Sequence, residues 1–200
     1  MAKTLSTVAV DACQEIAQNT ILEGTTKDVS SYYDCIMQIW WALSNATAHT
    51  GTKVKVQYST ATSGDEKWAD LAELVFGIGT TNLEVITNNP APIGTTVFTV
   101  ADTTDYTVLG SWRFLEDVST FANSEWLFQR GVSANTSITA LDGSTREHAL
   151  NSILNSIAGC VVPLMIPAVA QRIRVLYDNT YDADGATVAI MSELVGMTAY

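Results

Sequence analysis

The sequence predicts an all-β protein: a β-sandwich that carries a small inserted β-unit and an N-terminal arm. Three observations predict it. Apolar and polar residues alternate with a period of two in one segment after another, as strands with one buried face require. Turn residues (Gly, Asn, Asp, Pro) recur at short intervals between those segments. Helical periodicity is confined to a single stretch. At 200 residues, 47% hydrophobic and 16% charged, the chain has enough apolar surface for one packed domain with an insertion.

Residues 1–27 show weak periodicity. "STVAVDA" from Ser6 reads as an edge strand, and the remainder reads as an arm that a partner must order. Val8, Val10, Ile16, Ile21 and Leu22 are too apolar to remain in water, so they are the candidate assembly contacts, docking on a neighbouring subunit.

The sandwich core is expected from 28–90 and 144–200. "SYYDCIMQIWWAL" from Ser31 is apolar on both faces, as a central strand would be. "TKVKVQYST" from Thr52 alternates, with Val54, Val56 and Tyr58 inward. "RIRVLYD" from Arg172 does the same through Ile173, Val175 and Tyr177. "GATVAIMSEL" from Gly185 is a short strand entered through the turn "DADG".

Between these lies the inserted unit, 91–143, with brief strands at "TTVFTVA", "SWRFLED", "EWLFQRGV" and "TSITAL" bounded by "NNPAPIG" and "DGS". The one helix is expected between Thr145 and Ala158. Ser144 and Glu147 have capping-box spacing, Leu150, Ile153, Leu154 and Ile157 follow at helical intervals, and Gly159 closes it.

Charge limits function. Asp plus Glu number 21 against 10 Lys plus Arg, for a net charge of -11, and such a surface repels phosphate; direct nucleic-acid binding is not expected. "TLSTVAVDACQEI" has no uninterrupted apolar core, so no secretory signal is expected, and the apolar run from Ala158 is short and holds Pro163 and Pro167, so no membrane span is expected. The glycosylation-like triplets at Asn45 and Asn135 then carry no meaning. Cys13, Cys35 and Cys160 are odd in number without CxxC spacing, which fits reduced, buried thiols.

No catalytic constellation emerges. His49 and His148 have no Cys or carboxylate at metal spacing, and each reads as a surface or cap residue. Asp182 and Asp184 fit part of a calcium loop, but Thr180 and Met191 occupy its first and closing ligand positions, so a hairpin turn is preferred. "GIGTTN" is a turn. Glu116 and Asp117, like Asp65 and Glu66, are sequence neighbours that a strand would point to opposite faces. No cofactor, no metal and no enzymatic activity are expected.

Two resemblances rest on longer phrases. "KVKVQYSTATSGDEKWADL" with "QRIRVLYDN" is similar to core strands of discoidin-like and jelly-roll carbohydrate-binding sandwiches, which implies a jelly-roll-like fold and, as an alternative function, a carbohydrate-binding module of a receptor-binding appendage using Trp68. From about Asp28 to Ala189, "SNATAHTGTKVKVQYSTATSGDEKWADL", "PIGTTVFTVADTTDY", "FANSEWLFQRGVSANTSITALDGSTREHA" and "IRVLYDNTYDADGATVAI" resemble virion structural proteins of tailed bacteriophages. That resemblance implies a homo-oligomeric virion component made in the host cytoplasm. Its partners would be other virion proteins: the major capsid protein for a cement or decoration protein, connector or tail proteins for a neck or tail component.

Overall fold

A computed structural model describes residues 3–44, 48–64, 67–76, 79–80, 83–160 and 164–199. In chain order the strands are β1 (Lys3–Ile16), β2 (Ile21–Glu23), β3 (Lys27–Asp28), β4 (Asp34–Ser44), β5 (Ala48–His49), β6 (Thr52–Ser59), β7 (Ala69–Phe76), β8 (Gly79–Thr80) and β9 (Glu84–Val85). There follow β10 (Val97–Thr99), β11 (Ser111–Glu116), β12 (Glu125–Ser133), β13 (Ser137–Ala140), β14 (Ile153–Asn155), β15 (Ala158–Cys160), β16 (Leu164–Ile166), β17 (Arg172–Asp178) and β18 (Thr187–Ala199). The helical content among the described residues is two single 3-10 turns, Thr104–Tyr106 and Phe121–Asn123. None is long and apolar enough to cross a membrane. The fold is all-β, as the alternation predicts.

Three layers stack. The first sheet runs β1-β18-β4-β15, with β16 also on β4; the second runs β2-β17-β6-β7, with β3 on β17. These two face each other across the main core. Met37 and Ile39 of β4, Val54 and Val56 of β6, and Ile173, Val175 and Tyr177 of β17 are all fully buried there. Each is the inward member of a period-two pattern. The third sheet, β10-β13-β12-β11-β14-β9, lies on the opposite face of the first. Between them Phe114 of β11 packs against Ala42 of β4 and Ala189 of β18. The far side of the third sheet has a core of its own, including Ile86, Phe98, Tyr106, Leu115, Leu127 and Leu154.

The expected arm is, over 3–16, an integral strand. β1 pairs antiparallel with β18 from Lys3↔Ala199 to Ile16↔Val188. Asp11 fixes it from within: the buried carboxylate accepts hydrogen bonds from Tyr177 Oη (3.0 Å), Ser192 Oγ (2.9 Å) and the Thr25 amide (2.7 Å). A buried carboxylate with three donors ties β1 to β17 and β18. Weak periodicity in the sequence reflects two register shifts, between Ala9 and Asp11 and between Asp11 and Gln14, which break the period-two pattern.

The expected helix over Thr145–Ala158 is absent. Ser144 does not cap one; its hydroxyl donates to Pro92 O (3.0 Å). His148 instead forms a two-way bridge with Ala91, N–H to O at 2.9 and 3.0 Å, and β14 and β15 follow as strands. Gly159 lies opposite Trp41 in the β15–β4 pair, where an added Cβ would stand 2.7 Å from the indole. The glycine admits a ring rather than ending a helix. The inserted unit is also wider than 91–143, because β9 and β14 complete the third sheet and Ile86 and Leu154 belong to its core.

Candidate functional site: an aromatic cleft between two sheets

The first and third sheets do not close fully on one another. They leave an open cleft of about 480 Å³ whose floor is formed by Ala9, Ala12 and Cys13 of β1 with Met191 of β18. Trp40 of β4 and Trp126 of β12 wall it, and Glu125, Arg146 and Glu193 supply the charge. A second, smaller recess of about 220 Å³ continues past Trp40 and Trp126 to Trp112 and Phe128.

Strand register builds the aromatic wall. On β11 and β12 the alternation sends Trp112, Phe114, Trp126 and Phe128 toward the first sheet. Trp112 stands edge-on to Trp40 (4.4 Å between ring centres) and to Phe128 (5.0 Å). Trp126 packs on Phe114 at 4.8 Å and donates its indole N–H to Trp41 O (2.9 Å). Such T-shaped and tilted contacts suit ring quadrupoles and hold the wall rigid.

The row does not stop there. Trp112 pairs with Phe128 across β11 and β12, and the Leu141 amide donates to Phe128 O (2.8 Å), so Leu141 continues the row just past β13. Leu141 is 49% exposed and Val97, on the neighbouring β10, 45% exposed. An apolar row thus begins beneath the first sheet and emerges into solvent.

Glu125, at the edge of the cleft, and the nearby Asp117 are committed to structure. Glu125 accepts from His148 Nε2 (2.7 Å), the Thr145 hydroxyl (2.6 Å) and the Thr145 amide (3.0 Å). Burial raises its pKa, but the donors from His148 and Thr145 outweigh burial and hold it below the usual carboxylate range. Asp117 behaves alike: burial opposes ionisation, and donors from Ser119, Ala149 and Thr120 prevail. His148 is fully buried between them, with Nδ1 3.6 Å from Asp117 Oδ2, beyond hydrogen-bond reach. Burial pushes the Cys13 thiol up to about 12, against a smaller lowering by Arg146, so it is not a thiolate nucleophile at neutral pH. What the cleft offers is apolar contact surface.

Both histidines therefore differ from the surface or cap role expected of them. His49 is buried as well, with Nε2 3.1 Å from Thr52 Oγ1 and 3.3 Å from Asn179 Oδ1. The Asp182 carboxylate accepts from Thr50 N (3.1 Å), Thr50 Oγ1 (3.0 Å) and Asp184 N (3.2 Å), as well as from Ala186 N, which accounts for "DADG" as a capped turn. Among the described residues no group of three or more His, Cys, Asp or Glu is placed to hold a metal. Glu116 and Asp117 do point apart: Glu116 accepts from Ser44 Oγ (3.0 Å), while Asp117 faces His148. Asp65 and Glu66, the Asn45 triplet and most of "GIGTTN" lie outside the described residues.

Of the five candidate assembly residues, Val10 (3% exposed) and Ile16 (1%) are in the chain's own core, and Leu22 packs partly against it. Val8 is half-buried on β1, and Ile21 is exposed on β2. Trp68 has the Arg174 guanidinium 4.3 Å and the Arg172 guanidinium 5.0 Å from its ring centre, cation–π contacts that anchor the ring to β17.

No family model and no curated protein matches this chain. Two solved structures align over 99% of it: "Structure of infectious bursal disease virus Gx strain" (6% identity, TM-score 0.27) and "Crystal structure of infectious bursal disease virus VP2 subviral particle" (9% identity, TM-score 0.22). The chain spans 42% of the length of each. At those scores the likeness carries no argument for fold or function.

Proposed function

We propose that this protein is a non-enzymatic structural component of a tailed-phage virion, and specifically a capsid cement or decoration protein that bridges neighbouring subunits. The apolar row Trp112–Phe128–Leu141, with Val97 beside it, carries this reading. Half of it is pinned in aromatic packing and half is exposed, which is how a rigid sheet presents a docking surface. Among the sequence phrases that resemble virion proteins, two run through β10, β12 and β13 of that same sheet. A net charge of -11 suits contact with protein rather than with packaged nucleic acid.

The partner under this reading is the major capsid protein. A neck or tail component would use the same surface and differ in number. Mass spectrometry of purified virions tests both: copies in the hundreds support the shell, a dozen or so support the neck, and absence from the particle refutes either.

A further inference from the structure

We infer that two copies of this chain pair through β1, edge to edge and antiparallel, about a twofold axis at Ser6. β1 is the outermost strand of the first sheet, bonded to β18 on one side, with no strand on the other among the described residues. Its pairing with β18 is regular from Lys3↔Ala199 to Ala9↔Glu193, and the register shifts begin only beyond Ala9. The later half of β1 is occupied, since Cys13 joins Phe121 and Phe114 in the cluster beneath the third sheet. The earlier half is open: Thr7 and Ala9 are exposed. Alternate N–H and C=O groups of an edge strand point away from its neighbour, and no other described strand lies beside those of this stretch.

The partner is a second copy because of charge and length. Among the described edges, β2, β10, β15 and β16 are three residues long and β3, β5, β8 and β9 two. β7 is longer, but a bulge at Leu71 interrupts its edge, whereas β1 runs in regular register from Lys3 to Ala9. "KTLSTVA" has no carboxylate and no proline. With the axis at Ser6, Lys3 falls opposite Ala9 of the other copy, and Thr4 opposite Val8, so no like charges meet. The pairing closes on itself, joining the two first sheets into one and leaving no free edge on β1 to propagate a fibre.

The pairing belongs to the isolated chain, so its failure would leave the virion reading intact. Thr7 of one copy lies diagonal to Thr7 of the other about this axis, close enough for charges to be felt. Sedimentation or light scattering of the purified chain should give twice the monomer mass. Thr7→Lys should give the monomer mass with unchanged circular dichroism, because the new charge lies diagonal both to its own counterpart and to Lys3 of the other copy, whereas Thr7→Glu, diagonal to that same Lys3, should keep the doubled mass. A monomeric parent over micromolar to millimolar concentration overturns the inference. A dimer that survives Thr7→Lys places the interface elsewhere and overturns it equally.

Discussion

Removing the His148 imidazole would leave Glu125 buried with one donor fewer and open a void beside Asp117. His148→Ala is expected to cost about 2–3 kcal/mol, read as a lower urea midpoint at neutral pH, because a buried carboxylate loses a charge-assisted partner. Asp117, Glu125 and Asp182 also set the acid limit. Their folded pKa values lie below the ordinary ones, so each binds its proton less readily folded than unfolded. The stability they add is complete above the unfolded values, roughly pH 4, and is lost as pH falls through the folded ones. Melting temperature should therefore hold from neutral pH to about pH 5 and fall below about pH 4, with a shallower fall in Asp117→Asn. An unchanged melting temperature down to about pH 2–3 would contradict this. None of this was legible in the sequence. Asp117, Glu125 and His148 come from three different segments, and only the register of β11 on β12 and the His148–Ala91 bridge bring them together. By contrast Asp182 was readable as a turn, because its partners Asp184 and Ala186 are local.

Strands were legible wherever the period of two ran unbroken, as in β17 and in β6 as far as Val56; beyond the register shift there, Tyr58 is half-buried against the core and Ser59 is buried. β1 was not, because its bulges scramble the pattern and its buried Asp11 reads as a solvent residue. The difference is testable by truncation. A detachable arm could be removed without harm, whereas deleting residues 1–16 strips Val10 and Ile16 from the core and leaves Tyr177 and Ser192 without their carboxylate. Two buried aliphatic side chains at about 1.5–3 kcal/mol each approach the whole stability of many domains. The truncated chain is expected to be insoluble or to lack a cooperative unfolding transition; a sharp melt near that of the parent would restore the arm. The helix over Thr145–Ala158 failed for a related reason. Helical spacing of Leu150, Ile153, Leu154 and Ile157 is local, but β14 has partners on β9 and β11 that no local signal announces. Excising 91–143 should accordingly give a molten product, since it removes Leu115 and Leu127 from against Ile86 and Leu154 and takes Asp117 and Glu125 from His148.

At the scale of the molecule, the sequence indicated a sandwich with an added β-unit, but not that the unit is laid as a third layer on the outer face of the first sheet. Trp40, Ala42 and Ala189 make that face apolar, and the sequence shows their alternation without showing what covers it. The covering is incomplete, and the exposed end of the Trp112–Phe128–Leu141 row is where the proposed role can be probed without touching the core. Leu141 and Val97 are half in solvent already, so Leu141→Lys and Val97→Lys should each alter stability by no more than about 0.5 kcal/mol. If the row docks on a capsid subunit, each substitution forfeits burial of an aliphatic side chain, of the order of 1.5–3 kcal/mol, and affinity should drop about tenfold or more. The measurement is binding of purified variant to particles that lack the protein, by co-sedimentation, beside a melting curve of the same sample. Wild-type binding by both lysine variants would move the docking surface off the third sheet.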